Sequence, residues 1–243
     1  MRLPHRPALV WAWLISTLVA TAVSRADYTP LPDPPPRTTS QTLQPVPNLD
    51  RSAITVSGLS SGGFMAHQFH IAFSKLVTGA GVVAGGPFRC VETIANPYSW
   101  FWTVPLDRVS AATLGCSHYL GDRYWGLRLA PPKAEDSVRL IREAWARRVI
   151  DDPANLAGQR VWLFHGKRDD IVPSAVEGAV KQVYEALGLR EPSLVADFNA
   201  SGPAANHGMP VDRFVGTSQF PVRSCGEHAP PFVVQCGYDT DSG

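Results

Sequence analysis

Charge is what this chain has little of. Only 18% of its 243 residues are Asp, Glu, Lys or Arg and the formal net charge is +1, so it carries no field strong enough to gather nucleic acid or an anionic membrane surface. Small neutral substrates are the expected partners. Cysteine is scarce too: Cys90, Cys116, Cys225 and Cys236 are all there are, and no two have the close spacing that zinc sites use. Neither a metal nor an organic cofactor is expected. No apolar run reaches the roughly 20 residues that cross a bilayer, and no internal repeat is present.

What is present begins with an export signal. Arg2 and Arg6 precede an apolar run over residues 8–22, and Ser24-Arg25-Ala26 puts small residues on the near side of a cut after Ala26. That pattern predicts a cleaved secretory signal over residues 1–26 and a secreted product, extracellular or periplasmic, with no membrane attachment after cleavage. An oxidising compartment makes the four cysteines disulfide candidates. Of the three possible pairings, sequence neighbours favour Cys90 with Cys116 and Cys225 with Cys236. Residues 27–48, rich in Pro, Thr and Gln, cannot form a core and read as an extended linker. The folded part is expected over residues 49–243, enough for one domain.

Its first unit reads as strand, glycine turn, helix. Apolar and small residues at 54–57 lead into Gly58-Leu59-Ser60-Ser61-Gly62-Gly63, after which Met65, Phe69, Ala72, Phe73 and Leu76 recur with the spacing of an amphipathic helix. "GAGVVAGG", residues 79–86, suits a buried parallel strand. Residues 87–133 are irregular. Residues 134–150 predict a helix, with Val138, Ile141, Trp145 and Val149 as its stripe and charges that complement the helix dipole. "RVWLFHG" is a third strand, residues from Ser174 on form a helix with Val176, Val180, Val183 and Leu187 that Gly188 closes, and "SLVADFNA" is a fourth strand. Parallel strands joined by helices imply an α/β fold. No long element is expected from Val222 onward.

Gly58-Leu59-Ser60-Ser61-Gly62 matches G-x-S-x-G, the turn that presents a nucleophilic serine between a strand and a helix. Its glycines allow close backbone passage, and the helix N-terminus aims amides at the reacting oxygen. A serine hydroxyl needs a base, and the base needs a carboxylate. Chain order in α/β-hydrolases is Ser, Asp, His. Asp169 and Asp170 lie in the turn after the third strand, and Asp169, three residues past Gly166, is favoured as the acid; a plain helix cap is the alternative. Among the histidines, His67 and His70 lie on the first helix as packing or surface residues, His118 and His228 adjoin cysteines, and His165 reads as orienting the acid loop. His207, in a loop after the fourth strand, is the candidate base.

The blocks "VSGLSSGGFMAHQFHIAFSKLVTGAGVVAGGPFRC", "NLAGQRVWLFHGKRDDIVPSAV", and "ANHGMP" on to "SCGEHAPPFVVQCGYD" resemble the secreted short-chain polyhydroxyalkanoate (polyhydroxybutyrate) depolymerases over most of residues 49–239. The resemblance implies a circularly permuted α/β-hydrolase fold, a parallel sheet flanked by helices, acting on polyester or its oligomers. It makes Ser60 the nucleophile, Asp169 the acid, His207 the base and the Ser61 backbone amide one arm of the oxyanion hole. In that family further strands and a Trp-bearing loop follow the histidine, and neither is found before Gly243. The domain is therefore expected to be incomplete: a truncated product, a chain completed by a partner, or a relative that only binds. The aromatic group Tyr98, Trp100, Phe101 and Trp102 suggests polyester binding through Trp100 and Trp102, with core packing as the alternative. Feruloyl or acetyl esters remain open, since a triad fixes the reaction and not the acyl group.

Overall fold

A computed structural model describes residues 50, 52–94, 108–118, 129–198, 203–211 and 221–237. The expected signal, the linker and the group containing Trp100 and Trp102 lie outside these residues.

Four strands, β1 (Thr55–Leu59), β2 (Gly79–Val83), β3 (Arg160–Phe164) and β4 (Leu194–Asp197), form a wholly parallel sheet in the order β1-β2-β3-β4. Helix α1 (Ser61–Ala72) joins β1 to β2. Between β2 and β3 come the short α2 (Cys90–Thr93) and α3 (Arg108–Ala111), a π turn at Ala112–Cys116, α4 (Ala134–Ala146) and a 3-10 turn at Pro153–Leu156. Helix α5 (Ser174–Ala186) joins β3 to β4. Three very short strands, β5 (Met209–Val211), β6 (Arg223–Ser224) and β7 (Val233–Gln235), make a second parallel sheet in the order β5-β7-β6.

The register lines up side chains in rows. Val56, Ala80, Val161 and Leu194 share one row, and Gly58, Val82, Leu163 and Ala196 share another on the same face. That face packs against Ala66 and Ile71 of α1, Val138 and Ile141 of α4, and Val180, Val183 and Tyr184 of α5. Burial of each valine or isoleucine among them contributes about 1.5–3 kcal/mol. The opposite face presents the row Leu59, Val83, Phe164 and Asp197, whose apolar members pack with Ala205, Met209, Val234 and the Cys225–Cys236 pair.

Two helices turn differently from the expectation. On α1 the residues that make the sequence look amphipathic point outward: Met65 is 62% exposed, Phe69 38%, and Phe73 and Leu76 just beyond the helix 46% each. The buried positions are Gly63, Ala66, His67, His70 and Ile71. Polar ring atoms inside and phenyl rings outside invert the usual hydropathy signal. Helix α4 ends at Ala146 rather than near Ile150, and Trp145 and Val149 of its expected stripe are exposed. Cys90 is joined to Cys116 and Cys225 to Cys236. The second bond continues the β6–β7 register by one position, since Arg223 and Ser224 lie opposite Val234 and Gln235.

Candidate active site

The four strands of the main sheet end level with one another, and the loops that carry the candidate residues leave from that line. Ser60 N donates to Val83 O at 2.9 Å, Ala84 N to Phe164 O at 2.9 Å, and His165 N to Asp197 O at 3.0 Å, extending the ladder one step past each strand.

Ser60 follows β1 directly and adopts φ 57 and ψ −123, a conformation that residues with a Cβ rarely hold. Its side chain makes no capping bond to α1. The first bond of the helix, Phe64 N to Ser60 O at 2.9 Å, leaves the amides of Ser61, Gly62 and Gly63 without intrahelical acceptors. Close approach explains two of the glycines. A Cβ at Gly58 would overlap the carbonyl of Gly62, and one at Gly63 would lie 2.7 Å from Val83 O. At Gly62, the last glycine of the motif, a Cβ would meet nothing within 4 Å. The sequence reading gave Gly62 a packing role that belongs to Gly63.

Asp169 sits in the turn between β3 and α5 with a wholly buried side chain. Its Oδ1 accepts the amides of Ile171 and Val172, each at 3.0 Å. Its Oδ2 lies 2.7 Å from His207 Nδ1. Because an ionised carboxylate only accepts, Nδ1 carries the proton and Nε2 is left as the ring's basic atom. The adjacent Asp170 is exposed. His165 braces the same turn, its Nε2 donating to Val172 O at 2.7 Å.

The histidine loop is tied on both sides. Arg168 N donates to Ala205 O at 2.8 Å, and Asn206 N donates to Cys225 O at 3.0 Å. Asn206 Oδ1 accepts the His207 amide at 2.8 Å, and Met209 N donates to Phe232 O at 2.7 Å. The second sheet, which sequence reasoning missed because its strands are two or three residues long, supplies half of these ties together with the residues that flank its strands. His228 meets the His207 ring edge-on with centroids 5.5 Å apart. Its place beside Cys225 was visible in the sequence, its approach to His207 was not.

The structure thus brings His207 and Asp169 together and sets Ser60 at the same end of the sheet. Among the described residues no hydrogen bond joins Ser60 Oγ to His207, and no group of three or more His, Cys, Asp or Glu side chains could hold a metal ion. A cleft of about 450 Å³ is lined by His165, Lys167, Asp169, Ser174, Ala175 and Phe198. Neither Ser60 nor His207 borders it, so it is not assigned as the acyl pocket.

Helices on a level-ended parallel sheet, with the serine turn after β1, are the α/β-hydrolase fold. Solved structures agree: a polyhydroxybutyrate depolymerase variant complexed with an R3HB trimer (23% identity) and the depolymerase from Penicillium funiculosum (24%) each match with a TM-score of 0.58 over 80% of this chain and 50% of theirs. The Delftia acidovorans poly(3-hydroxybutyrate) depolymerase is 32% identical over 80% of this chain and 33% of its own length. The Talaromyces funiculosus polyhydroxybutyrate depolymerase is 28% identical over 82% of this chain and 48% of its own. No protein-family model matches. Over four fifths of its length the chain is homologous to the Delftia acidovorans polyhydroxybutyrate depolymerase. The chain spans a third to a half of the length of these curated relatives.

Proposed function

We propose that the chain is the catalytic part of an exported serine esterase that cleaves short-chain polyhydroxyalkanoate, or its oligomers, through an acyl-enzyme on Ser60. The observation that carries the reading is the 2.7 Å contact of His207 Nδ1 with Asp169 Oδ2, at the sheet end where Ser60 is held at φ 57.

In this mechanism His207 Nε2 takes the Ser60 hydroxyl proton as Oγ attacks the ester carbonyl, and Asp169 stabilises the imidazolium that forms. The oxyanion faces the Ser61 amide; one such donor contributes about 100- to 1000-fold in turnover. Collapse returns the proton to the leaving hydroxyl of the hydroxyalkanoate. Water, activated by His207, then releases the acyl group. The substrate class rests on the named relatives. Export rests on the residue 1–26 pattern, with two disulfides compatible with an oxidising compartment. A domain over residues 49–243, preceded by a linker, is part of the same proposal.

A second reading, a polyester-binding protein without turnover, is favoured by the lack of a Ser60–His207 hydrogen bond. Fluorophosphonate labelling of the signal-free protein, beside Ser60→Ala and His207→Ala, separates the two. Labelling that requires both residues is expected. A folded but unlabelled protein overturns the esterase reading, and a p-nitrophenyl ester panel that prefers acetyl or feruloyl groups over butyryl overturns the substrate class.

A further inference from the structure

Behind the serine turn lies a group of buried titratable side chains that the proposed mechanism leaves unused. Glu177, in the first turn of α5, is wholly buried, and its Oε2 accepts a hydrogen bond from the Gly85 amide. Its Oε1 has no partner. One residue along the same turn, Gly86 O accepts a hydrogen bond from His67 Nδ1 of α1 at 3.1 Å, while His67 Nε2, equally buried, has no partner. A carbonyl only accepts, so Nδ1 carries the proton and Nε2 presents a lone pair.

The segment these two side chains grip is strained and touches the nucleophile. Ala84 sits at φ 47, a conformation that persists in a non-glycine residue only where its surroundings fix it. Immediately before it, Val83 O accepts the Ser60 amide. Immediately after it, Gly85 is so close to α1 that a Cβ at Gly63 would lie 3.1 Å from the Gly85 Cα. Displacing residues 84–86 would therefore move both the acceptor of Ser60 N and the first turn of its helix.

We propose that Glu177 is a positioning residue for the nucleophile: together with His67 it clamps residues 83–86 and so holds Ser60 in its attacking geometry. The catalytic consequence rests on the esterase reading; the clamp does not.

The groups around Glu177 favour its neutral form. Asp169 faces it from the acid turn and its negative charge opposes ionisation, while Tyr184 lies two turns further along α5. His67 reaches the same turn from α1, and its ring stands 4.8 Å from that of Tyr184. Beyond Tyr184, His70 Nδ1 accepts the phenol proton at 2.8 Å and its Nε2 donates to Gln159 Oε1 at 2.6 Å. Burial above all, then the Asp169 charge, push the Glu177 carboxyl up to about 8 against the pull of the Gly85 amide. Ionisation would place a second negative charge near Asp169 and remove the proton from Oε1.

Glu177→Gln and Glu177→Leu test this. The glutamine keeps a neutral, hydrogen-bonding head, whereas the leucine keeps only bulk. Exchange of the Gly85 and Ser60 amides should stay within about threefold of native in Glu177→Gln and accelerate by about tenfold or more in Glu177→Leu. Fluorophosphonate labelling should fall as pH rises through about 8 in the native protein and hold level in Glu177→Gln. An infrared band from a protonated carboxyl at pH 7 should vanish in Glu177→Gln. The proposal is overturned if that band is unchanged, or if glutamine loosens the two amides as much as leucine. Should Glu177→Leu fail to fold, the band and the glutamine pH profile decide. Absence of labelling in every protein, with the band and the amide protection as expected, would remove the esterase reading and leave the clamp standing.

Discussion

His207 Nδ1 stands 2.7 Å from Asp169 Oδ2, and the other oxygen of that carboxylate holds two backbone amides at 3.0 Å. With three donors the aspartate cannot turn to another partner, so the imidazole is fixed in one tautomer. Asp169→Asn offers the ring an amide instead. On p-nitrophenyl butyrate, kcat should fall about 1000- to 10,000-fold, while the exposed Asp170→Asn should stay within about threefold of native. A large loss at Asp170 alone would move the acid to the neighbouring position.

The glycines around Ser60 differ in what they tolerate. Gly58→Ala must overlap the Gly62 carbonyl, and Gly63→Ala must push against Val83 O; both should lose soluble expression or labelling. Gly62→Ala meets open space in the first turn of α1 and should raise stability by about 0.5–1 kcal/mol with labelling retained. Urea melts of the three variants check this, and equal damage at Gly62 and Gly63 would contradict the packing described.

Stability should be greatest in mild acid. Burial raises Glu177 from 4.5 to about 8, so between those values the native state holds a proton that the unfolded chain has released, and stability falls as pH rises through that window. Burial lowers His67 from 6.5 to about 3. Below 6.5 the unfolded chain binds a proton that the native state refuses, and stability falls as pH drops toward 3. The two slopes oppose each other between 4.5 and 6.5. Denaturant melts from pH 4 to 9 should show the Glu177→Gln variant gaining on native protein as pH rises from 4.5 to about 8 and levelling off above, and a gain independent of pH would refute the linkage.

The Cys225–Cys236 bond closes an 11-residue separation, for which the chain-entropy model gives about 3 kcal/mol. Its larger effect should be on turnover, because Asn206 N and Met209 N, on either side of His207, bond to carbonyls within that closed loop. The Cys225→Ser, Cys236→Ser double variant should lose more activity than one opening Cys90–Cys116 to the same loss in Tm. Parallel losses would make the bond merely stabilising.

Phe69 and Phe73, whose tilted rings stand with centroids 4.6 Å apart on the outer side of α1, are half-buried, 38% and 46% exposed. Replacing both by Gln should lower the urea-derived stability by about 1–2 kcal/mol, as half-buried rings would. A loss of several kcal/mol would mean that the rings are covered in solution.

The sheet was legible because buried parallel strands are short apolar runs bounded by glycine, as in "GAGVV" and "RVWLF". The Asp169–His207 contact of the candidate site was legible where chemistry demands spacing: Asp169 lies three residues past Gly166, and His207 in the loop beyond β4. Hydropathy misled on α1, where buried hydrogen bonds satisfy His67 Nδ1 and His70 while phenylalanines face out. Glu177 was hidden differently. It sits seven residues before Tyr184, on the buried side of a Val-rich helix, but only folding shows that its carboxyl meets the Gly85 amide. Strands as short as β5, β6 and β7 carry too few residues for alternation to register.

Level strand ends also make the sheet a ruler. Neighbouring strands stand about 4.8 Å apart, so β1 and β3, separated by β2, are about 10 Å apart. That gap is too wide for an aspartate leaving β3 to reach a serine leaving β1, and it is close to what an imidazole with hydrogen bonds at both ends can bridge. The loop beyond β4 therefore has to fold back over the end of β3, as the Arg168 to Ala205 bond records. The width of one interposed strand, more than the length of any loop, sets the distance that a single imidazole has to span between carboxylate and hydroxyl.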